Sequence, residues 1–398
     1  MNDQTIYSQR VPRDSRFERL RIVAMLAVVL CHAIAYLPWG LESAAGWKGS
    51  LAIAADQYLG QFGVTIFFLL SGYFLVQKPF DINRIVKIVV QTFCYSAVCL
   101  IIAICVVPNI HAFKHADMPW GGVTLVRYLY IGLFPIVNNA YWFITAYVLM
   151  IVFSPIVNVL FRLLTAKQAM WFIGVVGGFS ILPYISFTGF AYNGLFWTTI
   201  VYAIFGYAIG GWIRLYGQSI HVHVSWLLIA IYTVFSFGVL LAFIEAARLQ
   251  IGIAQFFAWV PRSIYGTLPL LPLLLSACII FRISISTKNP LKIDNRFGAI
   301  ATNTIASSVF GVYLIHQNII IGNDLWKIVG MIVPAPDGIF RKAVACLLIG
   351  VGVFMLLSLC SFVFDRLVVH PLQSFVLSYI KKTRLNSVVM SLNRSLGL

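Results

Sequence analysis

The stretch "RLRIVAMLAVVLCH", residues 19–32, decides the class of this protein. A basic flank, Arg19 and Arg21, opens directly into apolar residues that continue to about residue 38, and one ionisable side chain, His32, sits deep inside the run. An apolar run of about 20 residues, rising 1.5 Å each, is long enough to cross a hydrocarbon core of roughly 30 Å. The pattern returns at 60–77, 87–107, 140–161, 168–188, 195–213, 224–244, 263–281, 300–321 and 343–365. With 20–38, these are ten expected spans. Composition agrees: 61% of the residues are hydrophobic, only 10% are charged, and the mean hydropathy is +0.91, far from the balance of a soluble domain. The expected fold is all-α, a polytopic membrane helix bundle of about ten transmembrane helices.

Base outweighs acid, 28 Lys and Arg against 12 Asp and Glu. Such an excess can mark a nucleic-acid binder, but here its distribution follows the spans. With the N-terminus inside, 20 of the cations fall on the cytoplasmic side and 8 on the other, as the positive-inside rule requires. Both termini are then cytoplasmic and no nucleic-acid partner is implied; the surrounding partner is membrane lipid. The rival apolar segment "VTLVRYLYIGLFPIV", 123–137, would invert everything downstream and put the basic loop 282–296 outside. It is therefore expected to be re-entrant or interfacial. Cleavage after residues 1–46, read as a signal peptide, would discard the opening Arg and His and upset the charge count.

The expected organisation is a polar cytoplasmic leader, 1–18, one membrane domain, 19–370, and a basic cytoplasmic tail, 371–398. No period of 20 to 50 residues and no low-complexity tract interrupts the helices. The seven cysteines lie in or beside apolar runs, where a thiol behaves as a small hydrophobe, and their spacing suggests neither a disulfide framework nor a zinc site. His111, His115 and Asp117 have metal-like spacing but lack a further ligand in their loop, so no metal is expected.

Chemistry must sit in the membrane or at its surfaces. The eleven steps from Arg21 to His32 return to within about 20° of the same helix face and climb about 16 Å. Arg21 is thus placed near the cytoplasmic interface and His32 near mid-bilayer, on one stripe. An ionisable group at that depth is costly and faces a bundle interior or cavity; packing between helices is the plainer reading. A second intramembrane histidine, His316 in "SSVFGVYLIHQNII", lies about 24 Å into the ninth span, somewhat above His32. Two neutral-range bases in one bundle suit a proton or acyl relay. Arg84 and Lys87, three apart at the start of the third span, are neighbours on one helix face that could grip phosphates. The same pair also serves ordinary positive-inside anchoring. Trp120 and Trp142 could stack on a sugar, although aromatic residues are common at membrane interfaces.

These residues resemble the integral-membrane acyltransferase-3 family, whose bacterial members mostly O-acetylate cell-surface glycans. The resemblance spans roughly 16–370. It rests on Arg21 and His32, on "FFLLSGYFL" (67–75), on Arg84 and Lys87 where the family tends to show Arg-x-x-Arg, on "YWFITAYVLMIVFSPIVN" (141–158), and on "GVYLIH" ending at His316. Two departures stand out. Lys87 replaces an arginine, which weakens a bidentate phosphate grip, and the Trp142 segment lacks the glutamate of one large branch. That absence is similar to the branch of enterobacterial common antigen and exopolysaccharide acetyltransferases.

What the resemblance implies is an O-acetyltransferase of the bacterial cytoplasmic membrane. It would use acetyl-CoA as co-substrate, with no bound cofactor, and a surface polysaccharide or lipid-linked glycan as acceptor. His32 would act as general base or transient acyl carrier, Arg21 would meet the thioester oxyanion or the coenzyme phosphates, and His316 would assist. Arg84 and Lys87 would hold the coenzyme, and Trp142 and Trp120 are weaker acceptor candidates. A carrier for a lipid-linked sugar or small solute is the alternative; matched broken helices in the two halves would favour it, and only "YGTLPLLPLL", 265–274, is of that kind.

Overall fold

The computed structural model describes residues 14–105, 123–138, 140–185, 195–220, 224–252, 268–286 and 296–396. Among these the regular structure is helical throughout. The helices are α1 (Ser15–Tyr36), α2 (Trp47–Leu75), α3 (Ile82–Cys105), α4 (Val123–Leu133), α5 (Trp142–Leu163), α6 (Ala166–Ile185) and α7 (Leu195–Tyr216). They continue with α8 (Trp226–Arg248), α9 (Leu270–Ser284), α10 (Arg296–His316), α11 (Gly322–Ile332), α12 (Ile339–Phe364), α13 (His370–Lys382) and α14 (Leu385–Leu396). The chain is an all-α polytopic bundle, and each of the ten expected apolar runs falls on a helix. Among the described residues, seven helices are long and apolar enough to cross a membrane.

Helix limits differ from the hydropathy reading where polar residues sit inside a helix. Asp14 caps α1 by accepting the Arg16 backbone N–H at 3.0 Å, satisfying one of the orphan donors of a first turn. The helix therefore starts five residues before the apolar run, through Arg16 and Glu18. α2 starts at Trp47 rather than 60, because Lys48 and Asp56 lower the hydropathy of a stretch that is nonetheless helical. Asp81 caps α3 in the same way, accepting from the Asn83 N–H. The segment 123–137 forms the eleven-residue α4, about 16 Å long and half a hydrocarbon core.

α1 is central. It packs along α2 on one side and against α10 and α12 on the other, while α2 packs in turn on α7. The α2–α7 crossing is unusually close: a Cβ on Gly72 would lie 1.8 Å from the Tyr207 carbonyl oxygen, and one on Gly210 would lie 1.9 Å from that of Leu69. Only glycine admits backbones at that separation, and without a hydrophobic drive between helices in lipid, such close packing is what holds them together. This explains Gly72 in "FFLLSGYFL". Its neighbour Ser71 donates back to the Phe67 carbonyl at 2.8 Å and meets the Tyr147 hydroxyl at 3.0 Å.

A π-helical turn, Asp365–Val369, joins α12 to α13. The buried Asp365 carboxylate there accepts the Tyr95 hydroxyl at 2.9 Å and the Gln91 amide at 3.0 Å, fixing α12 to α3. Beyond it α14 turns back on α3, where Asn393 accepts the Ile82 N–H at 2.9 Å.

Candidate active site

The bundle brings the two intramembrane histidines into direct contact. Nδ1 of His32 on α1 lies 3.2 Å from Nε2 of His316, the last residue of α10, with ring centroids 5.2 Å apart. The expected offset in height is smaller than the apolar runs suggest because α1 begins at Ser15. Measured from the helix starts, His32 stands about 26 Å along α1 and His316 about 30 Å along α10.

Hydrogen bonding sets the tautomers. Nδ1 of His316 is 2.6 Å from the Val312 carbonyl oxygen, one turn back, and a carbonyl only accepts, so this nitrogen carries a proton. In the neutral ring Nε2 then holds a lone pair, and the contact from His32 requires Nδ1 of His32 to donate. Among the described residues no hydrogen bond engages Nε2 of His32, which then keeps its lone pair. Exposure separates the two rings: His316 is 1% exposed, whereas His32 is only half-buried. His32 is thus the ring open to approach, with the buried His316 behind it.

The His316 end of α10 is itself clamped. Tyr141, just before α5, donates from its hydroxyl to the Leu314 carbonyl at 2.8 Å and accepts from the Asn318 amide at 2.6 Å. The Asn318 carbonyl oxygen accepts the N–H groups of Ile320 and Ile321. Neither Tyr141 nor Asn318 stands out in the sequence, although Asn318 lies two residues after His316.

Arg21 shares α1 with His32 but stands at its basic end. It pairs with the buried Glu18 one turn earlier, and its guanidinium lies 5.4 Å from the Phe74 ring centroid. Arg214, at the end of α7, lies over the adjacent Tyr73 ring at 5.2 Å and donates to the Tyr73 hydroxyl and to Gln77. Two guanidinium groups thus sit over neighbouring rings of the "SGYF" step, and among the described residues Arg214 has no acidic partner. Arg84 approaches the same region from α3: it acts electrostatically on the Tyr207 hydroxyl, which donates to Asn158 at 2.8 Å, and Asn158 donates on to the Leu75 carbonyl. Lys87 is exposed one turn along. Arg84 and Lys87 make no ion pair among the described residues. The basic end of the bundle therefore offers cations around the end of α2, about 16 Å from the histidine pair along α1.

Trp142 opens α5 and packs edge-on against Phe143 at 6.0 Å, with Phe143 in turn 5.3 Å from Tyr313; it does not contact either histidine among the described ring pairs. Trp120, with His111, His115 and Asp117, lies outside the described residues. Among the described residues no three His, Cys, Asp or Glu side chains gather as a metal site, and the seven cysteines form no disulfide with one another.

No curated protein and no solved structure matches the chain. A family model does, that of the acyltransferase domain of the acyltransferase-3 type, over residues 14–364, which takes in α1 with its histidine, the glycine crossing, the α3 cations and the clamped end of α10. The chain belongs to the acyltransferase-3 family of membrane acyltransferases.

Proposed function

We propose that the protein transfers an acetyl group from cytoplasmic acetyl-CoA to a hydroxyl of an extracytoplasmic cell-surface glycan or its lipid-linked precursor, in the cytoplasmic membrane of a bacterium. The observation that carries this reading is the free Nε2 lone pair of His32, set by the His316 contact. The charge distribution along the chain supports a cytoplasmic setting for the basic end of the bundle. There Arg21, Arg84 and Lys87 would hold the phosphates of the coenzyme while its pantetheine arm carries the thioester towards His32. The 16 Å between Arg21 and His32 favours phosphate binding over oxyanion stabilisation for Arg21.

The acceptor hydroxyl then attacks the thioester carbonyl as His32 Nε2 takes its proton. The C–O bond forms, the C–S bond breaks, and the proton passes to the departing thiolate. Should the acetyl group rest on His32 first, the same nitrogen is the nucleophile and the hydroxyl attacks the acyl-imidazole. Either route needs an unprotonated Nε2.

The test is transfer of radiolabelled acetyl from acetyl-CoA in proteoliposomes, together with mass spectrometry of the host's surface glycans with and without the gene. His32→Ala is expected to reduce transfer by on the order of 10²–10⁴-fold while expression and detergent stability stay near wild type. Substantial acetylation by a well-folded His32→Ala protein would sink the assignment.

A further inference from the structure

Four residues beyond His32, at the far end of α1, Tyr36 lies against the imidazole with ring planes only 8° from parallel and centroids 5.6 Å apart. Parallel rings with centroids that far apart form an offset stack rather than a full overlap. The imidazole therefore covers only part of the phenol face. The side chain is also open: Tyr36 is 44% exposed, in contrast to the buried aromatic residues packed around the histidine pair, such as Tyr141 and Tyr313.

We propose that Tyr36 is the floor of the acceptor subsite and determines preference for a cyclic sugar over other hydroxyl compounds. A pyranose stacked on the uncovered part of the phenol occupies the same layer as the imidazole and meets it edge to edge. The lone pair of a neutral imidazole nitrogen points outward in the ring plane, so a hydroxyl on the rim of a sugar in that layer approaches the base along its lone pair. The ring face of tyrosine carries negative charge density that attracts the weakly positive C–H groups of a sugar face.

A second observation puts hydrogen-bond donors at the same end of the bundle. The indole N–H of Trp39, three residues beyond Tyr36, is buried, with the residue 4% exposed, and has no partner among the described residues; nor has the fully buried Trp326 on α11, which packs against α1. A buried donor left unmade costs about 1–3 kcal/mol, and sugar hydroxyls are acceptors of the kind that would satisfy it.

This inference rests on His32 acting as base towards an acceptor hydroxyl. Its test uses the full-length protein in detergent or proteoliposomes, labelled acetyl-CoA, and two acceptor probes: methyl glycosides, which offer a ring face, and glycerol, which offers hydroxyls without one. Tyr36→Leu should raise the apparent KM for the methyl glycosides about tenfold, the loss of one aromatic contact, while KM for acetyl-CoA and transfer to glycerol stay within about twofold. Tyr36→Phe and Tyr36→Trp, which keep a ring face, should restore the glycoside KM. Unchanged glycoside KM in a folded Tyr36→Leu protein overturns the proposal, as does an equal loss with glycerol, which would make Tyr36 a support for the imidazole. A wild-type protein that acetylates no hydroxyl probe, although it consumes acetyl-CoA when supplied with the host's own glycan, also overturns the ring-floor role, because monosaccharide rings should then suffice. Failure to consume acetyl-CoA under any of these conditions overturns the acyl-transfer reading itself.

Discussion

The Asn318 amide donates to the Tyr141 hydroxyl at 2.6 Å, and that hydroxyl donates to the Leu314 carbonyl at 2.8 Å. A side chain just beyond α10, two positions after His316, is thereby tied to the residue that precedes α5. The ring of His316 can hold its 2.6 Å contact to Val312 and its 3.2 Å contact to His32 only while that turn stays wound.

His316→Ala removes the acceptor for the His32 Nδ1–H and frees the ring to rotate. Transfer should fall on the order of 100-fold, mostly in kcat, because the base remains but its orientation does not. His316→Gln offers an amide oxygen in place of the imidazole lone pair and should recover part of that loss. Tyr141→Phe, which deletes one hydroxyl from the clamp, should cost about tenfold in kcat with little change in KM for acetyl-CoA. Steady-state kinetics of the four proteins decide it; wild-type turnover in His316→Ala would make that histidine a packing residue.

The histidine pair was legible in the sequence because each member is the lone ionisable residue of an apolar run, and a group that expensive to bury stands out without knowledge of its neighbours. Tyr36, Tyr141, Asn318 and Arg214 were not legible. Each matters through a contact with another helix or through a ring plane, and none breaks the local pattern of a membrane helix with aromatic residues at its ends. The helix limits erred for a related reason: hydropathy marks where a helix meets lipid, while Arg16, Glu18, Lys48 and Asp56 sit on helical turns that meet water, protein or each other. The even hydropathy of the α2–α7 crossing likewise hid how closely its glycines approach.

At that crossing, Gly72→Ala should be poorly tolerated. The added methyl would fall 1.8 Å from the Tyr207 carbonyl oxygen, a backbone atom on a helix that is itself pressed against Leu69 through Gly210. Neither helix can yield without moving α1 and α5, which pack on them. Overpacking of a well-filled interior typically costs about 1–3 kcal/mol and more where backbone must shift. Thermal denaturation in detergent should show a clear drop in Tm, whereas Gly174→Ala, whose Cβ meets nothing within 4 Å, should leave it unchanged.

The cations around the end of α2 should act through binding. Arg84→Ala is expected to raise the apparent KM for acetyl-CoA much more than it lowers kcat. Arg214→Ala should behave similarly and more mildly, since Arg214 is exposed and an exposed charge contributes less. Lys87→Arg should preserve or improve affinity, because a planar guanidinium can grip a phosphate through two parallel hydrogen bonds. Raising ionic strength should weaken the wild type more than Arg84→Ala. An unaltered KM in Arg84→Ala would move the coenzyme to the basic stretch of Arg282, Lys288, Lys292 and Arg296, most of which lies beyond the described residues.

Sidedness is the last expectation and the one on which the route of the acetyl group depends. His32 lies four residues before the end of α1 and His316 ends α10, yet their rings touch. Two spanning helices whose C-terminal ends meet at one level run in the same direction, so an odd number of crossings separates them. That agrees with α4 turning back within the membrane or lying at its surface, since one more crossing would set α10 against α1. Cysteine reporters in a background without native cysteines can check this directly. Asn83 and Asn289 should react with an impermeant thiol reagent only after the inner face is opened, while Ser43 and Asp117 should react in intact cells. If Asn289 reacts from outside and Asn83 does not, residues 123–137 cross the bilayer, α10 runs inward, and the contact between His32 and His316 loses its geometric basis.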